Sequence, residues 1–254
     1  SIKNSQENQD KFSNSINTSY SNGNKLLSTI KNIALAVGGI SAIKGLFNLS
    51  DEMTNNKARL NLIVDDGGSV EALQNKIFVS AMNARASYQT TPDIITKLGL
   101  QAGKAFKGND ELIAFAEQLN KTFVISGTEA TGIESTMYNL TQALSTGVLR
   151  GQDLNAVFSN APQIVQNIAD YLNVPIGKIR DMAADGKISA QIVKNAMLKA
   201  ADETNAKFNK MPMTWNQVFT KMKNIAIKAL DPVLNKINAL ANNQQVQEMF
   251  NMFI

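Results

Sequence analysis

Apolar residues in this chain recur in steps of four and three. Leu112, Ala116, Leu119 and Phe123 form one such series, and Ile133, Met137, Leu140 and Leu144 form another. That spacing returns a residue to the same side of a helix, so each segment carries one stripe that has to be buried against a neighbour. Runs that alternate apolar with polar over six or more residues are missing, so no strand is predicted. With 44% apolar residues the 254-residue chain can fill a core. The expected class is all α: a long first helix, then a compact multi-helix domain, then a long amphipathic C-terminal helix.

The joins between these segments carry start and stop signals. Asp65 to Ser69, "DDGGS", ends the long first element, and Ser69 can cap the helix that follows. Thr91 before Pro92 reads as N-cap and N1, and Asn109 with Asp110 caps the next helix. In "LSTGVLRGQDLN", Gly147 occupies the place of a glycine just past a helix end, Gly151 opens the next turn, and Asp153 can cap the following helix. A phosphate cradle would need more glycines and a lysine at a helix start after a strand, and Asp153 would repel phosphate. The segment is therefore read as a connector. Pro162 opens a helix through Leu172 and Pro175 a short one. Asp185-Gly186 closes that one, and Ser189 caps a longer helix to about Phe208. In "MPMTWNQV", Thr214 at the N-cap and Gln217 at N3 make a reciprocal capping box, with Met213 and Val218 placed as a staple. Trp215, Phe219, Met222, Ala226 and Ala229 then form one stripe, and Trp215 and Phe219 are expected to anchor it in the core. Asp231-Pro232 predicts a kink or restart, with Val233, Ile237 and Leu240 on the apolar side beyond it.

Residues 1–24 are polar and rich in Asn and Ser, and read as a tether. Residues 25–66 read as a coiled-coil-like helix, 67–210 as the compact domain, 211–243 as a basic amphipathic helix broken near Pro232, and 244–254 as the start of a continuing segment. Leu26, Ile30, Ile33, Val37 and Ile40 keep a four-three step that Lys44 and Phe47 continue, and this predicts either a self-association seam, limited at Lys44, or a helix docked onto its own domain. The start at Ser1 and the apolar end "MFNMFI" read as those of a fragment. The apolar run from Ile33 to Ile43 is about half the ~20 residues a membrane span needs.

Composition narrows the chemistry. The chain has no cysteine and no histidine, which removes disulfides, thiolate nucleophiles, Cys/His metal sites and imidazole proton transfer. No carboxylate pair stands out as catalytic, and no cofactor or metal is expected. The net charge of +4 is mild. "IGKIRDMAADGKISAQIVKNAM" imitates a helix-turn-helix, with Gly186 in the turn and Gln191, Lys194 and Asn195 where base edges would be read. Met182 is large for its place, and Asp181, Asp185, Asp202 and Glu203 work against a nucleic-acid partner. Lys207, Lys210, Lys221, Lys223, Lys228 and Lys236 against Asp231 make the C-terminal segment basic, so a membrane surface is an alternative partner.

The run from "TQALSTGVLRGQDLNAVFSNAPQIVQNIADYLNVPIGKIRDMAADGKISAQIVKNAM" to "MPMTWNQVFTKMKNIAIKALDPVLNKINALAN" resembles the shared domain of tail tape measure proteins of tailed bacteriophages and prophages. So do "NLSDEMTNNKARLNLI" and "LGLQAGKAFKGNDELIAFAEQLNKTFVISGTEATG". The resemblance implies a non-enzymatic structural protein held during assembly in the host cytoplasm by copies of itself and by tail chaperones. Tail tube subunits then polymerise around it, its length sets tail length, and it later leaves the tube. Its place in the virion is the tail interior. A membrane-active domain that aids genome delivery and a helix-turn-helix DNA-binding protein are the alternatives.

Overall fold

A computed structural model of the chain describes residues 40–243. Eleven α-helices are assigned among the described residues: α1 (Ile40–Leu60), α2 (Val70–Asn83), α3 (Thr91–Ala102), α4 (Asn109–Ser126), α5 (Ala130–Thr146), α6 (Gly151–Asn160), α7 (Pro162–Leu172), α8 (Ile176–Ala184), α9 (Ala190–Lys199), α10 (Ala201–Lys210) and α11 (Trp215–Ala241). A 3-10 turn, Gly103–Ala105, follows α3, and the described residues hold no strand beyond one isolated bridge. The described residues are all-helical, and the last of their helices, α11, is long. The chain divides into two units, residues 56–227 and residues 1–55 with 228–254.

In the larger unit, α4 is the hub. It packs against α2, α3, α7, α9 and α10, and Leu112, Phe115, Ala116, Leu119 and Phe123 are all buried. Gln118, Lys121 and Thr122 are buried as well, because neighbours surround the helix on more than its apolar side. Lys121 and Thr122 find partners there, as burial demands, whereas Gln118 Oε1 has none. Lys121 Nζ donates to Glu117 at 2.7 Å and to Asn205 Oδ1 at 2.7 Å, and Thr122 Oγ1 donates to the Gln118 carbonyl at 2.8 Å. The start of α4 is tied to the 61–69 loop. Asn109 Oδ1 accepts from the Asp65 N–H at 3.0 Å, Asp65 Oδ2 accepts from the Asn109 N–H at 2.7 Å, and Asn109 Nδ2 donates to the Ile63 carbonyl at 2.7 Å. Asn109 is thus the first residue of α4, and its side chain serves the loop instead of capping the helix.

Local signals and helix starts agree closely. Ser69 and Ser189 are N-caps whose hydroxyls accept from the Ala72 and Ile192 N–H groups. Thr90 precedes the first turn of α3, which holds both Thr91 and Pro92, one residue earlier than expected. The helix expected to run from Ser189 to about Phe208 is two helices, broken at Ala200, whose N–H bonds back to Ala196 and Leu198.

In the smaller unit, Leu46 and Met53 of α1 and Leu234 and Ile237 of α11 are buried, and Ser50 Oγ donates to the Leu234 carbonyl at 3.0 Å. The expected restart at Asp231-Pro232 does not occur: α11 is one helix with Pro232 inside it. A proline within a helix forfeits one backbone bond. Asp231 is engaged instead by Lys228 at 2.8 Å. Leu26, Ile30, Ile33 and Val37 lie outside the described residues, as does the side chain of Ile40. Lys44 and Phe47, which continue their spacing, are exposed.

Candidate interaction surface

The N-terminal half of α11 is held to the larger unit by polar groups. Thr214 and Gln217 form the reciprocal box: the Thr214 N–H donates to Gln217 Oε1 and the Gln217 N–H to Thr214 Oγ1, both at 3.3 Å. Gln217 Oε1 also accepts from Arg85 Nη1 at 3.3 Å. Arg85, in the left-handed region at φ 55°, reaches the end of α10 with the same guanidinium. It donates to the Met211 carbonyl at 3.1 Å and to the Phe208 carbonyl at 3.4 Å, and stacks 4.3 Å from the Phe208 ring centroid. Two turns on, Asn224 is almost fully buried. Its Nδ2 donates to the Ala86 carbonyl at 2.8 Å and its Oδ1 accepts from the Tyr88 N–H at 2.8 Å. Gln217, Asn224 and Ile227 therefore mark the inward side of this stretch.

The outward side follows from that orientation, and it corrects the expectation for Trp215 and Phe219. They do not anchor the core: Trp215 is 77% exposed and Phe219 61%, followed by Met222 at 60% and Ile225 at 55%. The rings of Trp215 and Phe219 lie 6.1 Å apart, so they touch each other on the surface. Met213, expected to staple the first turn, is 42% exposed. The physical reason is that Asn224 satisfies the Tyr88 N–H and the Ala86 carbonyl while Gln217 meets Arg85, and these bonds form with that side of the helix turned inward. A contiguous apolar face of this kind, on the surface of a folded unit, is a candidate interaction site.

The glycine connector is a junction. Gly147 sits at φ 88° with its N–H bonded to the Ala143 carbonyl, which ends α5. Residue 147 adopts this conformation without strain only because it lacks a Cβ. The next residues pair with the turn between α8 and α9. The Leu149 N–H donates to the Ile188 carbonyl and the Ala190 N–H to the Gly147 carbonyl, both at 2.8 Å, around the bridge between Val148 and Ser189. Gly151 is the first residue of α6, and Asp153, buried, accepts from the Arg150 N–H at 3.4 Å. Arg150 is exposed. Gly186, at φ 69°, shapes the α8–α9 turn.

Of the residues of the imitated helix-turn-helix, Lys194 is buried and Asn195 half-buried, while Gln191 is exposed and donates to Asn195 Oδ1 at 2.8 Å. Lys194 is 2% exposed and pairs with Glu111 at 3.0 Å, and Asn195 Nδ2 donates to the Tyr171 hydroxyl. Burial raises the Glu111 pKa, but the Lys107 N–H and the Lys194 ammonium outweigh it and leave the carboxyl below its ordinary value of 4.5. A lysine committed in this way cannot reach a base edge. Between α3 and α5 lies a groove of about 660 Å³ lined by Asp93, Lys97, Ile133, Met137 and Tyr138. Asp93 there is already held by Arg59 at 2.7 Å and Lys97 at 2.8 Å.

Sequence reasoning missed Arg85 and Asn224, which decide the outward face. Each acts on groups more than a hundred positions away, and neither belongs to a motif. A polar residue on the moderately apolar side of a helix is the only trace Asn224 leaves. Compared with known proteins, residues 44–236 match the family model described as tape measure protein. No curated protein and no solved structure matches the chain.

Proposed function

The chain belongs to the tape measure protein family, whose model covers most of its length, and from that premise we propose that it is a structural and interaction module of a phage tail tape measure protein. During assembly in the host cytoplasm it is held by copies of itself and by tail chaperones while tube subunits polymerise around it. The length of the whole protein sets tail length, and the module later leaves the tail interior. The match over residues 44–236 carries this reading. The all-helical fold of the described residues agrees with it, since helix length grows by about 1.5 Å per residue and so translates residue number into distance. Catalysis has no part in the proposal.

A membrane-active role draws support from one observation, the exposure of Trp215 and Phe219 beside Lys221 and Lys223. The DNA-binding alternative loses its footing with the burial of Lys194. The test is genetic. Disrupting the gene should abolish tails or leave them irregular in length. Lengthening its helical part in frame should lengthen tails by about 1.5 Å per added residue, as measured by electron microscopy. Tails of normal number and length in the disrupted strain would overturn the proposal.

A further inference from the structure

We propose that the outward face of α11 is a self-complementary docking surface, on which a second copy of this chain binds antiparallel about a two-fold axis. Trp215, Phe219, Met222 and Ala226 follow a four-three-four step, the spacing of a coiled-coil seam, and all four are exposed. A lipid surface would take a broad apolar face of any spacing and would gain little from alanine. A helix partner needs the regular step, and a small residue lets it approach.

The register selects a second copy. With the axis midway between Thr220 and Lys221, Trp215 faces Ala226 of the second copy and Phe219 faces its Met222, so the largest side chain meets the smallest and the layers are of similar volume. The flanks agree as well. Asn216 faces Lys223 of the second copy and Val218 faces Ile225, which pairs polar with polar and apolar with apolar and opposes no two like charges. A parallel arrangement would instead stack Trp215 on Trp215 and Ala226 on Ala226.

The area suffices. With ~150–250 Å² for an aromatic side chain and the exposures above, Trp215, Phe219, Met222 and Ile225 offer roughly 400 Å² of apolar surface per copy. An ordinary stable interface buries about 800 Å² per partner, somewhat more than half of it apolar. The inference stands on the geometry of α11 and does not depend on the tail role: a strain with normal tails would leave it untouched.

Sedimentation of the 254-residue chain, the chain with Met222→Glu and the chain with Ile33→Glu and Val37→Glu provides the first test. Met222→Glu should raise the dimer dissociation constant by about 30-fold or more. The Ile33/Val37 variant should keep the α11 dimer. Met222 is exposed, so circular dichroism should show the fold unchanged. The chain lacks cysteine, which permits a second test: oxidation of a mixture of Asn216→Cys and Lys223→Cys chains should form a mixed disulfide dimer faster than either chain alone forms its own. Trp215 is the only tryptophan, and its emission should shift blue as concentration rises. A chain monomeric at about 100 μM, association unchanged by Met222→Glu, faster cross-linking within either single-cysteine chain, or a blue shift seen only with anionic phospholipid vesicles would each overturn the inference.

Discussion

Replacing Asn224 with alanine tests the cause assigned to the orientation of α11. The amide joins two backbone groups of the α2–α3 connection to the helix, donating to the Ala86 carbonyl and accepting from the Tyr88 N–H, each at 2.8 Å. Alanine removes both bonds at a site that is 1% exposed. A buried hydrogen-bonding group deprived of its partner costs about 1–3 kcal/mol, so the two together predict a loss of about 3 kcal/mol. For a unit of this size that is a fall in Tm of about 6–12 °C. Trp215→Ala is the control. With 77% of the residue in solvent, its removal should change monomer stability by less than about 0.5 kcal/mol. A core position would instead have cost about 3 kcal/mol or more. Urea denaturation of both variants should be run below the concentration at which copies associate, because association would add its own stability. A costly Trp215→Ala together with a neutral Asn224→Ala would refute the argument and restore the aromatic stripe to the core.

Three further outcomes follow from the structure. Gly147→Val should destabilise by about 1 kcal/mol or more through strain at φ 88°, whereas Arg150→Ala, at an exposed position, should cost less than about 0.5 kcal/mol; both are read from urea midpoints. Because folding lowers the Glu111 pKa, its contribution is present above the ordinary 4.5 and is lost as pH falls through the lower folded value. Glu111→Gln should therefore be less stable at neutral pH, with Lys194 left buried beside a neutral amide, and its urea midpoint should fall less between about pH 6 and pH 3. Charged substitutions at Ile33 and Val37 should reduce any association through the seam expected from Leu26 to Ile40 while leaving the helical circular dichroism in place; an unchanged sedimentation profile would remove that seam from consideration.

How far the sequence reached depended on the range of the interactions involved. The all-helical class, the stop at Gly147, the caps at Ser69 and Ser189 and the box of Thr214 and Gln217 were legible because each rests on groups within about four residues of one another. The family resemblance was legible in the same strings. The inward face of α11 was not, since the helix offers two sides to the rest of the chain. One carries Trp215, Phe219 and Met222, the other Gln217, Asn224 and Ile227, and spacing alone favours the more apolar. Tertiary structure decided otherwise. Backbone groups at Ala86 and Tyr88 are partnered by Asn224, and Arg85, which also holds the helix-end carbonyls at Phe208 and Met211, meets Gln217 on the same side of α11. An exposed aromatic side chain keeps some contact with water and can still find cover in a partner. A buried peptide group has no such alternative, so the polar bonds set the orientation and the apolar stripe was left facing outward.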